Sequence, residues 1–114
     1  MSFSNYLENK VMLHVFGGTS YTAPATLYVG LYTSDPGEGD TGTEVSGGSY
    51  ARQTAAFTIT GGAAANTAAI EFPTASASWG TVTYVGVRDA STGGNLLASG
   101  PLTTSKTISS GDVF

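Results

Sequence analysis

The sequence predicts a mainly β protein: an antiparallel β-sandwich, or a partly open barrel, with one N-terminal α-helix. Three observations carry this reading. Short segments alternate apolar and polar residues with a period of 2, clusters of Gly, Ser, Thr and Pro separate them, and one stretch alone has helical spacing. A parallel nucleotide-binding sheet is disfavoured, because its crossovers need further helices. With 114 residues, the chain has enough length for one core. Residues 1–114 are therefore expected to form a single β-sandwich domain.

The helix is expected over residues 5–16. Asn5 reads as its N-cap, with Glu8 three residues on in the manner of a capping box. Leu7, Val11 and Val15 recur on one face beside Leu13 and Phe16, and Gly17-Gly18 supplies the stop. The spacing predicts that this face lies against the rest of the domain.

After Pro24 the period changes. Leu27, Val29 and Leu31 fall on one face of a predicted strand, and Tyr28, Gly30 and Tyr32 on the other. Because the second face is aromatic rather than charged, it too is expected to be covered, by the helix or by a neighbouring subunit. The alternation returns at Ala55, Phe57 and Ile59, at Ile70 and Phe72, and at Thr83, Val85 and Val87. Arg88 and Leu96 bracket a loop of about seven residues, so residues 85–88 and 96–98 are expected to pair as a hairpin. The Ala-rich residues 61–69 read as a long hairpin connection. Residues 112–114 read as the start of a further strand, to be completed by a partner or by a longer chain. Trp79, before Gly80, is expected in the core.

Charge narrows the function. Charged residues make up 11% of the chain, against roughly 25% in a typical soluble domain. A surface so lightly charged is poorly protected against self-association, which favours a protein that works in an assembly. The net charge is −4, and Lys10, Arg52, Arg88 and Lys106 are scattered singly. Nucleic-acid binding needs basic groups clustered on one face, so it is not expected. The absence of cysteine excludes disulfides and thiolate chemistry. No apolar run approaches the roughly 20 residues that span a bilayer, so no membrane association is expected and synthesis in the cytoplasm is.

The segment Gly37-Glu38-Gly39-Asp40-Thr41-Gly42 has the spacing G-x-G-x-x-G. A dinucleotide site needs a helix to open at the third glycine. Here Thr43 to Gly48 is too short for one, and Glu38 and Asp40 would sit beside the phosphates. No cofactor is therefore expected. Residues 34–48 instead form a long acidic connection. Asp35, Glu38 and Asp40 are its candidate ligands for a cation, although the ordered pattern of an EF-hand is absent. A mobile, exposed loop that orders against a neighbour is the expectation.

No catalytic constellation is visible. His14 is the sole histidine, it sits in the predicted helix, and there is no G-x-S-x-G elbow for it to serve. Glu71 is expected on the solvent side, paired with Arg52 or Arg88. Tyrosine is common at interfaces, which makes Tyr28, Tyr32, Tyr50, Arg52 and Glu44 the candidate partner contacts, with Asp35 to Glu44 as a contacting loop. Exposed tyrosines would also serve as a carbohydrate platform.

The segments TLYVGLYTSDPG, GGSYARQ, FP, SWGTVTYVGVRDASTGGNLL and LTTSKTISSGD resemble a family of small bacteriophage virion proteins, variously labelled tail-fibre-like, minor tail or head-decoration proteins. The likeness covers most of the chain from about Ser4 onward. It implies a structural role in the virion and carries over no catalytic residue. The first expectation is a capsid decoration, or cement, protein that binds the major capsid protein as a homo-oligomer, with a trimer implied by the way such proteins sit on head shells. Many small contacts acting together would give firm attachment. The alternatives are a minor tail or fibre-associated component contacting tail proteins, and a carbohydrate-binding adhesin.

Overall fold

The frame is one long antiparallel hairpin, in which β6 (Gly80–Arg88) and β7 (Leu96–Ile108) pair from Gly80 opposite Ile108 to Arg88 opposite Leu96. These coordinates are a computed structural model that describes residues 2–67 and 69–114. Met1, and Ala68 within the predicted 61–69 connection, lie outside the described residues. The remaining elements are β1 (Ser2–Phe3), α1 (Asn5–Val15), β2 (Leu27–Tyr32), β3 (Gln53–Ala55), β4 (Phe57–Thr60) and β5 (Ala63–Asn66). Five strands form one sheet in the order β1-β7-β6-β2-β3, while β4 and β5 form a second, two-stranded sheet. Every strand pair is antiparallel. The fold is thus mainly β with one helix near the N-terminus, as predicted, and the sheets do not close into a barrel.

The register gives β2 the two faces its alternation predicts. Leu31 lies opposite Val85 and Val29 opposite Val87, while Tyr32 lies opposite Tyr84 and Tyr28 opposite Arg88. On the Leu31 face, Leu31, Val82 and Ile108 of the sheet pack with Val45, Phe72, Ala75 and Trp79 from irregular segments. Trp79 is buried as expected, and its indole N–H donates to the Gly48 carbonyl at 2.8 Å. Tyr50 stacks on Phe72 and meets Trp79 edge-on, and Phe114 meets Phe72 edge-on. Irregular backbone carries this second layer because its hydrogen bonds are met locally: Phe72 and Ala75 donate to Phe114 and Asp112, and Gly111 donates to Ala75.

Four local expectations are corrected. The N-cap is Ser4, not Asn5: its Oγ accepts from Leu7 N–H at 3.1 Å, and Glu8 closes no capping box because it lies one place beyond the required position. Residues 70–72 form no strand: Phe72 packs in the core and its N–H donates to the Phe114 carbonyl rather than to a strand. Residues 112–114 likewise form no strand, and Phe114 instead packs on the core. Within 61–69, Ala63–Asn66 is strand β5, because Gly61-Gly62, with φ of 58° and 80°, makes a two-residue hairpin turn between Thr60 and Ala63.

The helix is formed but does not bury its predicted face. None of its residues is buried, and Val15 and the capping Phe16 are 61% and 79% exposed. Its attachment is at its start. Ser4 N–H donates to Leu97 at 2.7 Å, Ser4 Oγ donates to the Leu96 carbonyl, and Asn5 N–H donates to Glu38 at 2.8 Å. The half-buried stripe is Tyr6, Leu7 and Lys10, with Tyr6 edge-on to Tyr21. The β4–β5 hairpin is similarly open, with Ile59 69% exposed. The molecule measures 49 × 28 × 24 Å, and its radius of gyration of 14.8 Å exceeds the roughly 13 Å of a compact domain of this length.

Candidate functional site

The aromatic face of β2 is covered by the chain's own 34–48 loop. The loop's returning limb runs along the edge of β2 beyond β3: Thr33 N–H donates to Thr43 at 2.9 Å, Val45 N–H to Leu31 at 3.0 Å, and Tyr32 bridges Glu44. Tyr32 is 1% exposed. The expectation of a mobile loop that orders only on a neighbour is therefore corrected, and Tyr32 is buried within the chain itself.

Two arginines hold the loop down. Arg88, on the same face as Tyr28, grips Asp40 with both terminal nitrogens at 2.8 Å each, and donates to the Tyr32 hydroxyl at 2.9 Å. Its remaining N–H groups reach the Gly93 and Gly94 carbonyls. Arg52 grips Glu44 at 2.7 and 2.8 Å and donates to the Ala90 and Gly93 carbonyls at 2.9 Å. Tyr50 adds a hydroxyl donor to Glu44 at 2.6 Å and accepts from Leu31 N–H. Planar, two-toothed guanidinium–carboxylate pairs of this kind fix orientation as well as charge. Because both arginines also meet the carbonyl of Gly93, the loop and the β6–β7 turn are tied into one polar cluster.

The protonation states follow from these contacts. Burial opposes the ionisation of Glu44, but the hydrogen bonds from Arg52 and Tyr50 outweigh it and hold the carboxyl below the usual glutamate range. Burial, and then the neighbouring Glu44 carboxylate, push the Tyr50 phenol well upward. Arg88 is raised by its bond to Asp40, against the effect of burial. Glu44, Arg52 and Arg88 are thus charged, and Tyr50 neutral, at neutral pH.

The glycine spacing finds its explanation here. Gly37 takes a left-handed φ of 62°, with its N–H donating to Asp35 Oδ1 at 2.8 Å. A Cβ on Gly42 would come within 2.7 Å of the Pro36 backbone. Gly37 therefore serves the turn, Gly42 serves the close crossing of the loop on itself, and no helix follows either.

The candidate residues divide. Tyr32, Tyr50, Arg52, Glu44 and Asp40 meet in the internal network; Tyr28 is half-buried beside it, and Asp35 and Glu38 are exposed on the loop's leading limb. As a cation set, Asp35, Glu38 and Asp40 lose Asp40 to Arg88, and among the described residues no group of three acidic, His or Cys side chains could hold a metal ion. His14 sits exposed on α1, its Nδ1 accepting from Tyr21 N–H. Glu71 is exposed, as expected, but Arg52 and Arg88 pair elsewhere. Sequence reasoning missed Arg88 as the centre of the cluster. The available signal was a charge placed on the face of β6 that continues the Tyr28–Tyr32 face, where it needs a partner.

Two open clefts flank the loop. One, of about 330 Å³, lies between Glu44–Arg52 and Ser91–Gly93. The other, of about 380 Å³, lies between the leading limb at Asp35–Glu38 and the sheet at Tyr84 and Ser99–Pro101, with Ser2 at its margin. No described helix is long and apolar enough to cross a membrane.

No curated protein matches the chain. Residues 2–114 match the family model of podophage GP4 fiber I protein gp80, and the chain belongs to that family of phage fibre proteins, a virion structural family.

Proposed function

We propose that the chain is a structural module of the tail-fibre apparatus, made in the host cytoplasm and built into the particle as a homo-oligomer. The match over residues 2–114 to a fibre protein carries this reading. It favours tail proteins as partners over the major capsid protein, so the fibre-associated alternative replaces capsid decoration as the first reading. A non-enzymatic role accords with that family and with the absorption of Glu44, Asp40, Arg52 and Arg88 into mutual bonds. The open apolar positions Val15, Phe16 and Ile59 supply surface for contacts between copies.

Electron cryomicroscopy of particles carrying a tagged copy tests the location. Density on fibres or the tail supports the reading, and density spread over the head shell overturns it. Light scattering of the purified chain tests the oligomer; a monomer at high concentration would count against it. A single-domain organisation over residues 2–114 predicts one calorimetric unfolding transition.

A further inference from the structure

We infer that the outer side of α1, from Val11 to Phe16, is the surface through which one copy of this chain meets another, the stripe packing against the same stripe of its neighbour about a symmetry axis. The inference rests on the homo-oligomeric reading and names the contact that reading needs. The chain exposes 6515 Å² of surface, whereas a compact monomer of 11.5 kDa exposes about 5,800 Å². The excess of about 700 Å² is close to the roughly 800 Å² that each partner buries in a stable interface.

The apolar part of that surface is concentrated on the helix. Among the described residues eight large apolar side chains are exposed, and five of them, Val11, Met12, Leu13, Val15 and Phe16, fall within six consecutive positions. Val11 and Val15 stand four residues apart, as do Met12 and Phe16, so at about 100° per residue they make two adjacent rows on one side. Leu13 lies at the border and is the least exposed of the five. The half-buried Tyr6 and Lys10 fall on the opposite side. There the returning chain covers the helix: Tyr21 N–H donates to His14 Nδ1 at 3.1 Å, and the Tyr21 ring meets Tyr6 edge-on. The side of Met12 and Phe16 has no such cover. It is nevertheless held in place before any partner arrives, since Ser4 and Asn5 fasten the start of α1 to Leu97 and Glu38.

Charge and shape select a second copy as the occupant. Residues 11–16 include no acidic residue, lysine or arginine, and their one histidine, His14, points to the covered side. Two copies of the stripe therefore meet without like-charge contact, while an acidic or basic partner finds nothing to pair with. Phenylalanine and methionine are enriched at interfaces, where lysine and glutamate are depleted. The two described clefts offer the stripe no seat, because one is edged by Glu44 and Arg52 and the other by Asp35 and Glu38. A head-to-tail contact is thus disfavoured, which leaves the stripe against itself, as in closed point-group assemblies. The β4–β5 hairpin also stands off the core, but among the described residues it offers one exposed large apolar side chain, Ile59.

The test measures self-association of the full chain by analytical ultracentrifugation. Met12→Lys and Phe16→Lys place a good helix former at exposed positions, and cations suit the C-terminal end of a helix, so unaltered circular dichroism is expected. Each is expected to weaken self-association about tenfold, and Ile59→Lys to weaken it less. Because the chain has no cysteine, Met12→Cys and Val15→Cys report the contact directly. Under mild oxidation they are expected to link two copies, whereas Glu71→Cys is not. A chain that stays monomeric at high concentration would overturn the inference together with the oligomeric reading. An oligomer that keeps its affinity in both lysine variants, that forms no cross-link through either helix cysteine, or that Ile59→Lys alone breaks would overturn the inference and leave that reading standing. Loss of a monomeric chain from particles in the lysine variants would give the stripe to a different virion protein, and overturn the inference as well.

Discussion

The two faces of β2 are both covered, yet by opposite chemistry. On one side Leu31 meets Trp79, Phe72 and Val45, a contact with no directional demand beyond shape. On the other, Tyr32 is sealed by a loop held through Arg88–Asp40 and Arg52–Glu44. Apolar packing gains stability roughly in proportion to the area removed from water. Buried ion pairs instead break about even, because desolvation offsets attraction, and their merit is that they accept one geometry only. The apolar side therefore holds the molecule together, and the arginine side decides where the loop sits.

Four substitutions sharpen that contrast, in falling order of effect. Trp79→Ala empties the apolar side and is expected to cost about 3–5 kcal/mol in denaturant unfolding. Arg88→Met leaves Asp40 and the Tyr32 hydroxyl without their donor. Removing one partner of a buried pair costs about 3–5 kcal/mol, and the partial exposure of Asp40 brings the expectation to about 2–3 kcal/mol. It should also raise hydrogen exchange across residues 34–48, a change that Trp79→Ala would not confine to the loop.

Glu44→Gln tests the charge on the second lock and is expected to cost about 1–2 kcal/mol at neutral pH. Because the folded state holds this carboxyl below its ordinary value, its contribution is fully present above that value, about 4.3, and is lost as pH falls through the lower folded-state value. Acid titration of stability should be shallower in the variant than in the parent chain. An equally steep loss would mean that another carboxylate governs it. Ile59→Thr, on the open hairpin, should change the unfolding of the isolated chain by less than about 0.5 kcal/mol. A larger loss would show that the arm is covered in solution.

The same contrast explains what could be read from sequence. The strand β2, its two faces, the β6–β7 hairpin and the burial of Trp79 follow from a period of 2 and from turn chemistry, which act over neighbouring residues. The fate of the loop does not, since Asp40 is held by a side chain 48 positions away and Glu44 by one eight positions on. Net acidity suggested a loop mobile until it meets a neighbour, whereas pairing with two of the four bases is what pins it to the sheet, most of its residues still exposed. Strand β5 escaped notice because alanine has little intrinsic preference for strands. The signal that identifies it is Gly61-Gly62, a pair suited to a two-residue hairpin turn. The helix face misled in the other direction: periodicity reports which residues share a side, not whether anything lies against it.

Strand β3 runs into β4 with only Ala56 between them, so the edge of the main sheet and the projecting hairpin lie on one continuous length of extended chain. Tension applied at the hairpin tip along that length would be shared by the β2–β3 rungs, which stand across the strands. Arg52, one residue before β3, then anchors the inner end through Glu44. The arm is thus fastened at its root by a guanidinium clamp, so acid that protonates Glu44 would loosen the root of the arm as well as the loop.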